Sequence, residues 1–331
     1  MLLNSQDKIF VAGHNGMVGQ SIVRSLLKKG YCNPNNGGHL LTQRRSDLNL
    51  LNFEQVDNWF NRNRPNIVII AAAKVGGIKA NSDYPFDFIF ENLKIQQNII
   101  ENSWKYGVRR LLFLGSSCIY PKFAKQPIKE DELLKGSLES TNEWYAIAKI
   151  AGIKLCEALR LQHDFDAISL MPTNLYGNND NYDLKSSHAF PALIRKFYEA
   201  KIKNLKSVSC WGDGSALREF LHVEDFAKSC LYALDKWDLD KEDAPRGDNN
   251  EKLYWLNVGS GTEISIKKLA EKISHKMDFD GEIIWDKSFP NGTPRKILDS
   301  SRFRDFGWKS EIGIDEGIEK TIESFKKEFY S

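Results

Sequence analysis

The feature that most constrains the fold is a set of short apolar segments that stop at glycines or small polar residues. Residues 8–12, 67–73, 111–114 and 167–171 each have the length of a strand. Residues 67–73 are continuously apolar, as is typical of a strand buried on both faces of a parallel sheet. Helix-like stretches lie between these segments. The alternation predicts an α/β fold built on a parallel sheet.

The loop after the first strand has the glycine spacing of a dinucleotide site. A GxxGxxG pattern follows the strand, and a helical stretch runs from residue 18 to residue 29. In this context the glycines allow close backbone approach, and the helix N-terminus offers free N–H groups to a pyrophosphate. The alternative is an ordinary tight turn between strand and helix. We expect cofactor contacts from the whole loop, which consists of Gly13, His14, Asn15, Gly16, Met17, Val18 and Gly19.

The second predicted strand, residues 39–42, is followed closely by Arg44 and Arg45. An NAD site places a carboxylate here, on the ribose 2′-hydroxyl, whereas guanidinium groups suit a 2′-phosphate. The pair therefore favours NADPH over NADH. The alternative is that both arginines only face water.

Polar side chains follow the strand at residues 111–114, where ligands of an open parallel sheet bind. Ser116 and Cys118 lie at this strand end, and Tyr145 and Lys149 share one helix face further along. We expect the ammonium to lower the pKa of the phenol, which makes it a proton donor near neutrality. With a serine hydroxyl to hold a carbonyl, these residues predict a site for ketone and alcohol redox chemistry.

Cysteine usage, charge and hydropathy exclude several classes of protein. The five cysteines form no CxxC pair, so the sequence predicts no disulfide framework, no metal site and a cytoplasmic location. The longest apolar run is too short to cross a membrane, and the N-terminal residues lack the features of a signal peptide. A net charge of +2 without a basic block argues against nucleic acid as a partner.

Motifs along the whole chain resemble those of the extended short-chain dehydrogenase/reductases of the nucleotide-sugar branch. They are GHNGMVG, SDLNLL, AAKVGGI, LLFLGSSCIYP, NEWYAIAKIAGIKLCE, MPTNLYGNNDN, SSHAFPALIRKF, REFLHVEDFA and GTPRKILDSSR. The resemblance implies a Rossmann-like doubly wound parallel sheet with a smaller C-terminal α/β substrate domain. It also implies NADP(H), a GDP-sugar substrate and a homodimer. We expect the cofactor domain at residues 1–171 and about 222–260, and the substrate domain at residues 172–221 and about 261–331.

The resemblance further implies NADPH-dependent conversion of GDP-4-keto-6-deoxy-D-mannose to GDP-L-fucose, by 3,5-epimerisation followed by 4-keto reduction. Ser116, Tyr145 and Lys149 would form the reductase set, and Cys118 and His188 the epimerisation acid/base pair. A ketone at C4 acidifies the protons on C3 and C5, so their inversion requires a base on one face and an acid on the other. The alternatives are that Cys118 is a small core residue and His188 only begins a helix.

Binding residues are also implied by the resemblance. Cofactor contacts are expected from Lys149, Pro172, Asn174, Leu175 and His188, with Asn174 and Leu175 beside the nicotinamide. Substrate contacts are expected from Lys196, Trp211, Arg218 and Asn291. Asn291 stands where the family usually has an acidic residue, and Asn15 where an arginine is common. Trp211 could instead be an ordinary core residue.

Four other functions are alternatives at this stage. Colitose-type chemistry, which produces GDP-L-colitose from the 3-deoxy analogue, would use the same residues. A nucleotide-sugar 4,6-dehydratase would require a Thr-Asp-Glu trio in place of the residues from Ser116 to Cys118, and a simple 4-epimerase is a further possibility. A catalytically silent NADP(H)-binding regulatory protein would not need the acid/base pair.

Overall fold

The computed structural model describes residues 2–184, 186–289 and 291–330. Its strands are β1 (Lys8–Ala12), β2 (His39–Leu41), β3 (Ile67–Ile70), β4 (Arg110–Leu114), β5 (Ala167–Pro172), β6 (Asn174–Tyr176), β7 (Ser207–Trp211), β8 (Leu217–His222), β9 (Trp255–Val258), β10 (Glu263–Ser265), β11 (Glu282–Asp286) and β12 (Arg295–Lys296). Its helices are α1 (Met17–Lys28), α2 (Phe53–Asn63), α3 (Ile78–Asp83), α4 (Pro85–Lys105), α5 (Glu143–His163), α6 (Ala189–Ile202), α7 (Val223–Lys236), α8 (Ile266–Lys276), α9 (Ser301–Asp305) and α10 (Ile314–Tyr330).

The large sheet is parallel throughout, which confirms the predicted α/β class. Its strand order is β2-β1-β3-β4-β5-β9. The chain places β2 on one side of β1 and β3 on the other, so the strand order reverses there. A crevice therefore opens beyond the carboxyl ends of β1 and β3, where open α/β sheets bind their ligands.

Alternate residues of the sheet strands supply two apolar cores, one on each face. Ile9 and Val11 pack with Leu112 on one face, whereas Phe10 packs with Phe113 on the other. Every residue of β3 and β4 is buried, as the apolar runs at residues 67–70 and 111–114 predict. Arg110, the first residue of β4, is buried as well.

Strand β3 is shorter than the predicted range of residues 67–73. It ends at Ile70, and Ala71 makes one further backbone hydrogen bond, to Ala12 O at 3.0 Å. The small residues after it pass directly beside the glycine loop, because the Ala72 backbone borders Gly13. The apolar run thus extends beyond the strand.

A second region contains the smaller sheets. Strand β8 pairs with β6, β10 and β12, while β7 pairs with β11. Phe190 of α6, Phe220 of β8 and Ile318 of α10 share its apolar core. The predicted division into two domains stays a prediction, and the segment around α9 bears on it. Phe303 and Trp308, which were predicted with the substrate domain, pack in a core of the large sheet.

Candidate active site

The glycine loop fits a bound dinucleotide. Gly13 has a φ of +86°, and a Cβ added to it would lie 2.6 Å from Ala72 N, so the loop packs closely on the end of β3. Helix α1 begins after Gly16 without an acidic residue in its first turn, which leaves its N-terminus electropositive. His14 Nδ1 is buried and has no hydrogen-bond partner among the described residues. An unpaired buried polar atom beside a helix N-terminus suits a polar ligand.

Arg44 lies close enough to this loop for its charge to act on His14. Burial lowers the pKa of His14, and the Arg44 guanidinium lowers it further. Arg44 and Arg45 are both exposed. The exposed guanidinium group of Arg44 near the loop fits the 2′-phosphate interpretation, whereas the role of Arg45 stays a prediction.

The three predicted reductase residues meet at the carboxyl end of β4. A hydrogen bond from the Ser116 hydroxyl lowers the pKa of Tyr145, but burial, with the nearby Cys118 sulfur as a smaller cause, raises it strongly. Lys149 is buried, donates from Nζ to Leu114 O at 2.8 Å and lies 5.8 Å from the centre of the Tyr145 ring. Burial lowers the pKa of Lys149 to about 8.

The expectation that Lys149 lowers the pKa of Tyr145 is therefore wrong for this structure. The ammonium is directed to the carbonyl oxygen of Leu114 and not to the phenol oxygen. The net pKa shift of Tyr145 is upward because burial outweighs the hydrogen bond from Ser116.

Cys118 is a half-buried residue of the site and not part of an apolar core. It lies in a short 3₁₀ turn, Ser117–Ile119, where its backbone N donates to Ser116 Oγ at 3.2 Å. Its sulfur accepts from Asn142 Nδ2 at 3.3 Å and from Lys296 Nζ at 3.5 Å. The thiol is thus presented to polar groups at the carboxyl end of β4.

His188 reaches the same cleft from the second region of the fold. It immediately precedes α6 and is solvent-accessible. The loop before it contacts the segment between β3 and α3, because Gly77 N donates to Ser186 O at 2.9 Å. Desolvation by the surrounding protein lowers the pKa of His188, and the charge of Lys296 lowers it further. Lys296 therefore acts on both members of the predicted acid/base pair.

Two of the predicted substrate residues lie together on α6 and β7. Lys196 Nζ donates to Ser209 O at 2.8 Å and lies 5.7 Å from the centre of the Trp211 ring. Trp211 is 45% exposed, which excludes the alternative that it is a core residue. It stacks on Phe289 with 4.4 Å between ring centres and 3° between planes. This flat aromatic surface is suited to stacking on a nucleobase.

Arg218 and Asn291 form a second group next to these aromatic rings. Arg218 Nη2 donates to Asn291 O at 3.4 Å. The Asn291 side chain accepts from Asp213 N at 2.8 Å, so this amide oxygen orders the loop after β7. A substrate contact by Asn291 remains a prediction, whereas its contact with the loop is an observed one.

The predicted residues after β5 lie at the carboxyl end of the large sheet. Pro172 ends β5, and Asn174 and Leu175 belong to β6. Asn174 Nδ2 donates to Glu219 O at 2.8 Å, which joins β6 to β8. These residues therefore line the junction between the two regions of the fold.

Lys296, Asn142 and Phe289 are site residues that the sequence prediction missed. Lys296 is the last letter of the GTPRK motif, and β12 places it beside Arg218 in the sheet register. The motif was a usable signal for Lys296, but the partner of its ammonium lies 178 residues away in the chain. Asn142 is the first letter of the NEWYAIAKIAGIKLCE motif and so had a similar signal, whereas Phe289 lies in none of the motifs.

Within residues 2–184, 186–289 and 291–330, no cluster of His, Cys, Asp or Glu is arranged to hold a metal ion. In the same part of the chain, no helix has the length and apolar character that crossing a membrane requires.

Comparison with known proteins identifies the family. The model of the NAD dependent epimerase/dehydratase family matches residues 9–244. The chain is 51% identical to the putative GDP-L-fucose synthase 2 of Arabidopsis thaliana over 97% of the chain and 92% of that protein. It is 35% identical to the GDP-L-colitose synthase of Yersinia pseudotuberculosis, over 97% of the chain and 98% of that protein.

A solved structure supports the same assignment. The GDP-mannoheptose C4 reductase from Campylobacter jejuni with NADP bound is 34% identical and superposes with a TM-score of 0.84. The alignment covers 98% of this chain and 99% of that one. The chain belongs to the NAD dependent epimerase/dehydratase family.

Proposed function

We propose that the chain catalyses the NADPH-dependent conversion of GDP-4-keto-6-deoxy-D-mannose to GDP-L-fucose, which is the activity of a GDP-L-fucose synthase. The identity to a relative of that name, 51% over nearly the full length, supports this substrate. The cleft supports the chemistry, because it joins a Ser-Tyr-Lys set to a thiol and an imidazole. The single observation that carries the proposal is that Cys118 and His188 lie close to the same ammonium. Lys296 Nζ donates a hydrogen bond to the Cys118 sulfur, and its charge lowers the pKa of His188.

In the reduction step, Ser116 and Tyr145 would hold the C4 carbonyl oxygen of the sugar. When bound, NADPH supplies a hydride for the C4 carbon. Tyr145 then protonates the oxygen, a role that its raised pKa suits because the phenol is protonated at neutral pH. Lys149, which is held at Leu114 O beside the ring, would bind the cofactor ribose.

In the epimerisation steps, Cys118 and His188 would exchange protons at C3 and C5 from opposite faces of the sugar ring. Their positions in different regions of the fold support this division. His188 immediately precedes α6 in the second region, whereas Cys118 lies in the turn that follows β4 of the large sheet. The C4 ketone stabilises the carbanion that forms at either carbon.

The cofactor would lie along the glycine loop, with its 2′-phosphate at Arg44 and Arg45 and its nicotinamide near Asn174 and Leu175. The orphaned His14 Nδ1 supports a polar ligand at the loop. The GDP group would lie against the aromatic surface at Trp211. Its diphosphate requires positive charge, which Lys196 and Arg218 would supply, with Asn291 beside them.

The test is NADPH oxidation with GDP-4-keto-6-deoxy-D-mannose, followed at the nicotinamide absorbance, with the product identified by NMR. We expect the wild type to form GDP-L-fucose. Cys118→Ser should be impaired in inversion, and Tyr145→Phe in reduction. Binding of NADPH without turnover of this substrate would contradict the proposed activity.

GDP-L-colitose synthesis is the second candidate, because a relative of that name is 35% identical over nearly its whole length. It uses the same reaction on the 3-deoxy analogue. Both substrates should therefore be assayed side by side. A higher kcat/KM for the 3-deoxy substrate would replace the first proposal with the second.

We also propose a homodimer and a cytoplasmic location. Phe86 and Phe90 on α4 are 67% and 44% exposed and stack on each other at 5.0 Å, an apolar surface that a second copy could cover. Light scattering should give twice the mass of the chain, and Phe86→Lys with Phe90→Lys should reduce that mass to a monomer. A monomeric wild type would contradict the dimer. The five cysteines support the cytoplasmic location, because all of them are free thiols and thiols stay reduced in that compartment.

A further inference from the structure

Two hydrogen-bond donors outside the predicted catalytic set face the Cys118 sulfur. Asn142 Nδ2 lies 3.3 Å from Sγ, and Lys296 Nζ lies 3.5 Å from it. Both groups direct N–H bonds at the sulfur, so the sulfur is an acceptor in this arrangement. We propose that Lys296, assisted by Asn142, is a positioning residue that holds the Cys118 sulfur as a thiolate. This inference deepens the proposed function, because it rests on the role of Cys118 in epimerisation.

The conformation of Asn142 supports this inference. Asn142 occupies the N-cap position of α5, where an asparagine side chain usually accepts a hydrogen bond from the first turn of its helix. It makes no such bond, and its Oδ1 is buried without a partner among the described residues. The side chain therefore gives up its ordinary capping role and directs its amide nitrogen at the sulfur.

The charge of Lys296 is also available to the sulfur. Among the described residues, no carboxylate lies within ion-pair distance of Lys296. Lys122 lines one cavity together with Cys118 and Lys296, but its ammonium is paired with Glu139 at 3.0 Å. An unpaired ammonium beside a thiol favours the thiolate, because attraction between the opposite charges stabilises that form.

Other charged or titratable groups also face this cluster. They are Arg218 from β8, Tyr145 from α5, His188 before α6, and the paired Lys122 and Glu139. Lys296 is distinctive among them because it contacts the sulfur and also lowers the pKa of His188. One ammonium thus favours a thiolate on one side of the cleft and, by lowering the pKa of His188, makes its imidazolium a stronger proton donor on the other.

The consequence for the reaction is a defined first step. The thiolate removes the proton from C3 or C5, an S–H bond forms, and the C–H electron pair moves into an enolate whose oxygen is at C4. The carbon is then reprotonated on the opposite face by His188 in its protonated, imidazolium form, which becomes a neutral imidazole and is reprotonated from solvent, while the thiol returns its proton to solvent. Lys296 acts through the sulfur and is not itself a proton donor in this step.

The test is the rate of alkylation by iodoacetamide as a function of pH, measured on the full chain. The other four cysteines are buried, so Cys118 is the thiol that reacts, and Cys118→Ser provides the blank. Because the thiolate is the reactive form, Lys296→Met should lower the alkylation rate near neutral pH by about tenfold or more. Its pH midpoint should rise. Lys296→Arg should retain most of the wild-type rate.

Matched variants keep the test specific. Lys122→Met removes a neighbouring lysine that is already paired, so it should leave the alkylation profile unchanged. Asn142→Ala should raise the pH midpoint less than Lys296→Met, and it serves as a second test if Lys296→Met does not fold. Unchanged NADPH affinity confirms that a variant retains its fold. An alkylation profile of Lys296→Met equal to that of the wild type would overturn the inference.

Failure of the proposed function gives a different result. Deuterium exchange at C3 and C5 of the GDP-sugar reports on epimerisation, whereas alkylation reports on the sulfur alone. If Lys296→Met slows both alkylation and exchange, the inference is supported in full. If alkylation slows but exchange does not, Lys296 still holds the thiolate and the proposed role of Cys118 is wrong.

Discussion

Replacement of Gly13 by alanine should destabilise the chain by more than a left-handed backbone conformation alone explains. Gly13 has a φ of +86°, which costs a non-glycine residue about 1–2 kcal/mol. A Cβ there would also lie 2.6 Å from Ala72 N and 2.7 Å from Ala72 Cα. These are backbone atoms at the end of β3, so the loop must shift at a further cost of about 1–3 kcal/mol. We expect a total loss of about 2–5 kcal/mol.

Gly30 provides the matched control. Its φ is +78°, but nothing lies within 4 Å of an added Cβ. Gly30→Ala should therefore lose only the conformational part, about 1–2 kcal/mol. The assay is urea unfolding followed by tryptophan fluorescence, with NADPH affinity measured in parallel. Gly13→Ala should weaken NADPH binding, and Gly30→Ala should not. Equal stabilities of the two variants would refute the packing of the glycine loop against β3.

Three further predictions concern the cofactor, the buried lysine and the nucleobase. Arg44→Ala with Arg45→Ala should reduce the preference for NADPH over NADH, and an unchanged ratio of the two kcat/KM values would contradict their role. Burial lowers the pKa of Lys149 to about 8 from 10.5, so the unfolded chain binds more protons between these pH values. The free energy of unfolding of the wild type, relative to that of Lys149→Met, should therefore rise with pH in this window by up to about 3 kcal/mol. The measurement is urea unfolding of both proteins at several pH values. A difference in unfolding free energy that does not change with pH would contradict the prediction. Trp211→Ala should raise KM for the GDP-sugar by about tenfold or more, with unchanged NADPH affinity, because base stacking contributes about 1–3 kcal/mol.

Elements with strong local signals were predictable from the sequence. The sequence predicts helices at residues 53–63 and 266–276 and a strand at residues 255–258. These are the bounds that α2, α8 and β9 have in the structure. The helix starts are fixed by side-chain caps, since Asn52 accepts from Gln55 N and Ser265 accepts from Lys268 N. Such caps are local in the chain, so a single sequence contains them.

Elements that depend on distant partners were not predictable. Strand β8 was missed because it carries charged residues in its interior, among them the fully buried Glu219, whose carboxylate accepts from Gly261 N and Leu298 N. Strand β12 has two residues and exists only through its pairing with β8. The contact between Lys296 and Cys118 is equally non-local, and no spacing rule predicts it.

Placement of the site was predictable in outline and its electrostatics were not. The serine, tyrosine and lysine meet at the end of β4 because parallel strands place their carboxyl ends at one edge. The direction in which the Lys149 ammonium points depends on the Leu114 carbonyl oxygen, which accepts from it. That choice, and the burial that raises the pKa of Tyr145, require the folded chain.

The central claim is that one cleft holds two separable sets of residues, one for proton exchange and one for reduction. The most direct measurement is deuterium incorporation at C3 and C5 of GDP-4-keto-6-deoxy-D-mannose in D2O, with NADP⁺ present so that reduction is impossible. NMR should show exchange at both carbons in the wild type and in Tyr145→Phe, and its loss in Cys118→Ser. Exchange that persists in Cys118→Ser, or disappears in Tyr145→Phe, would contradict the claim.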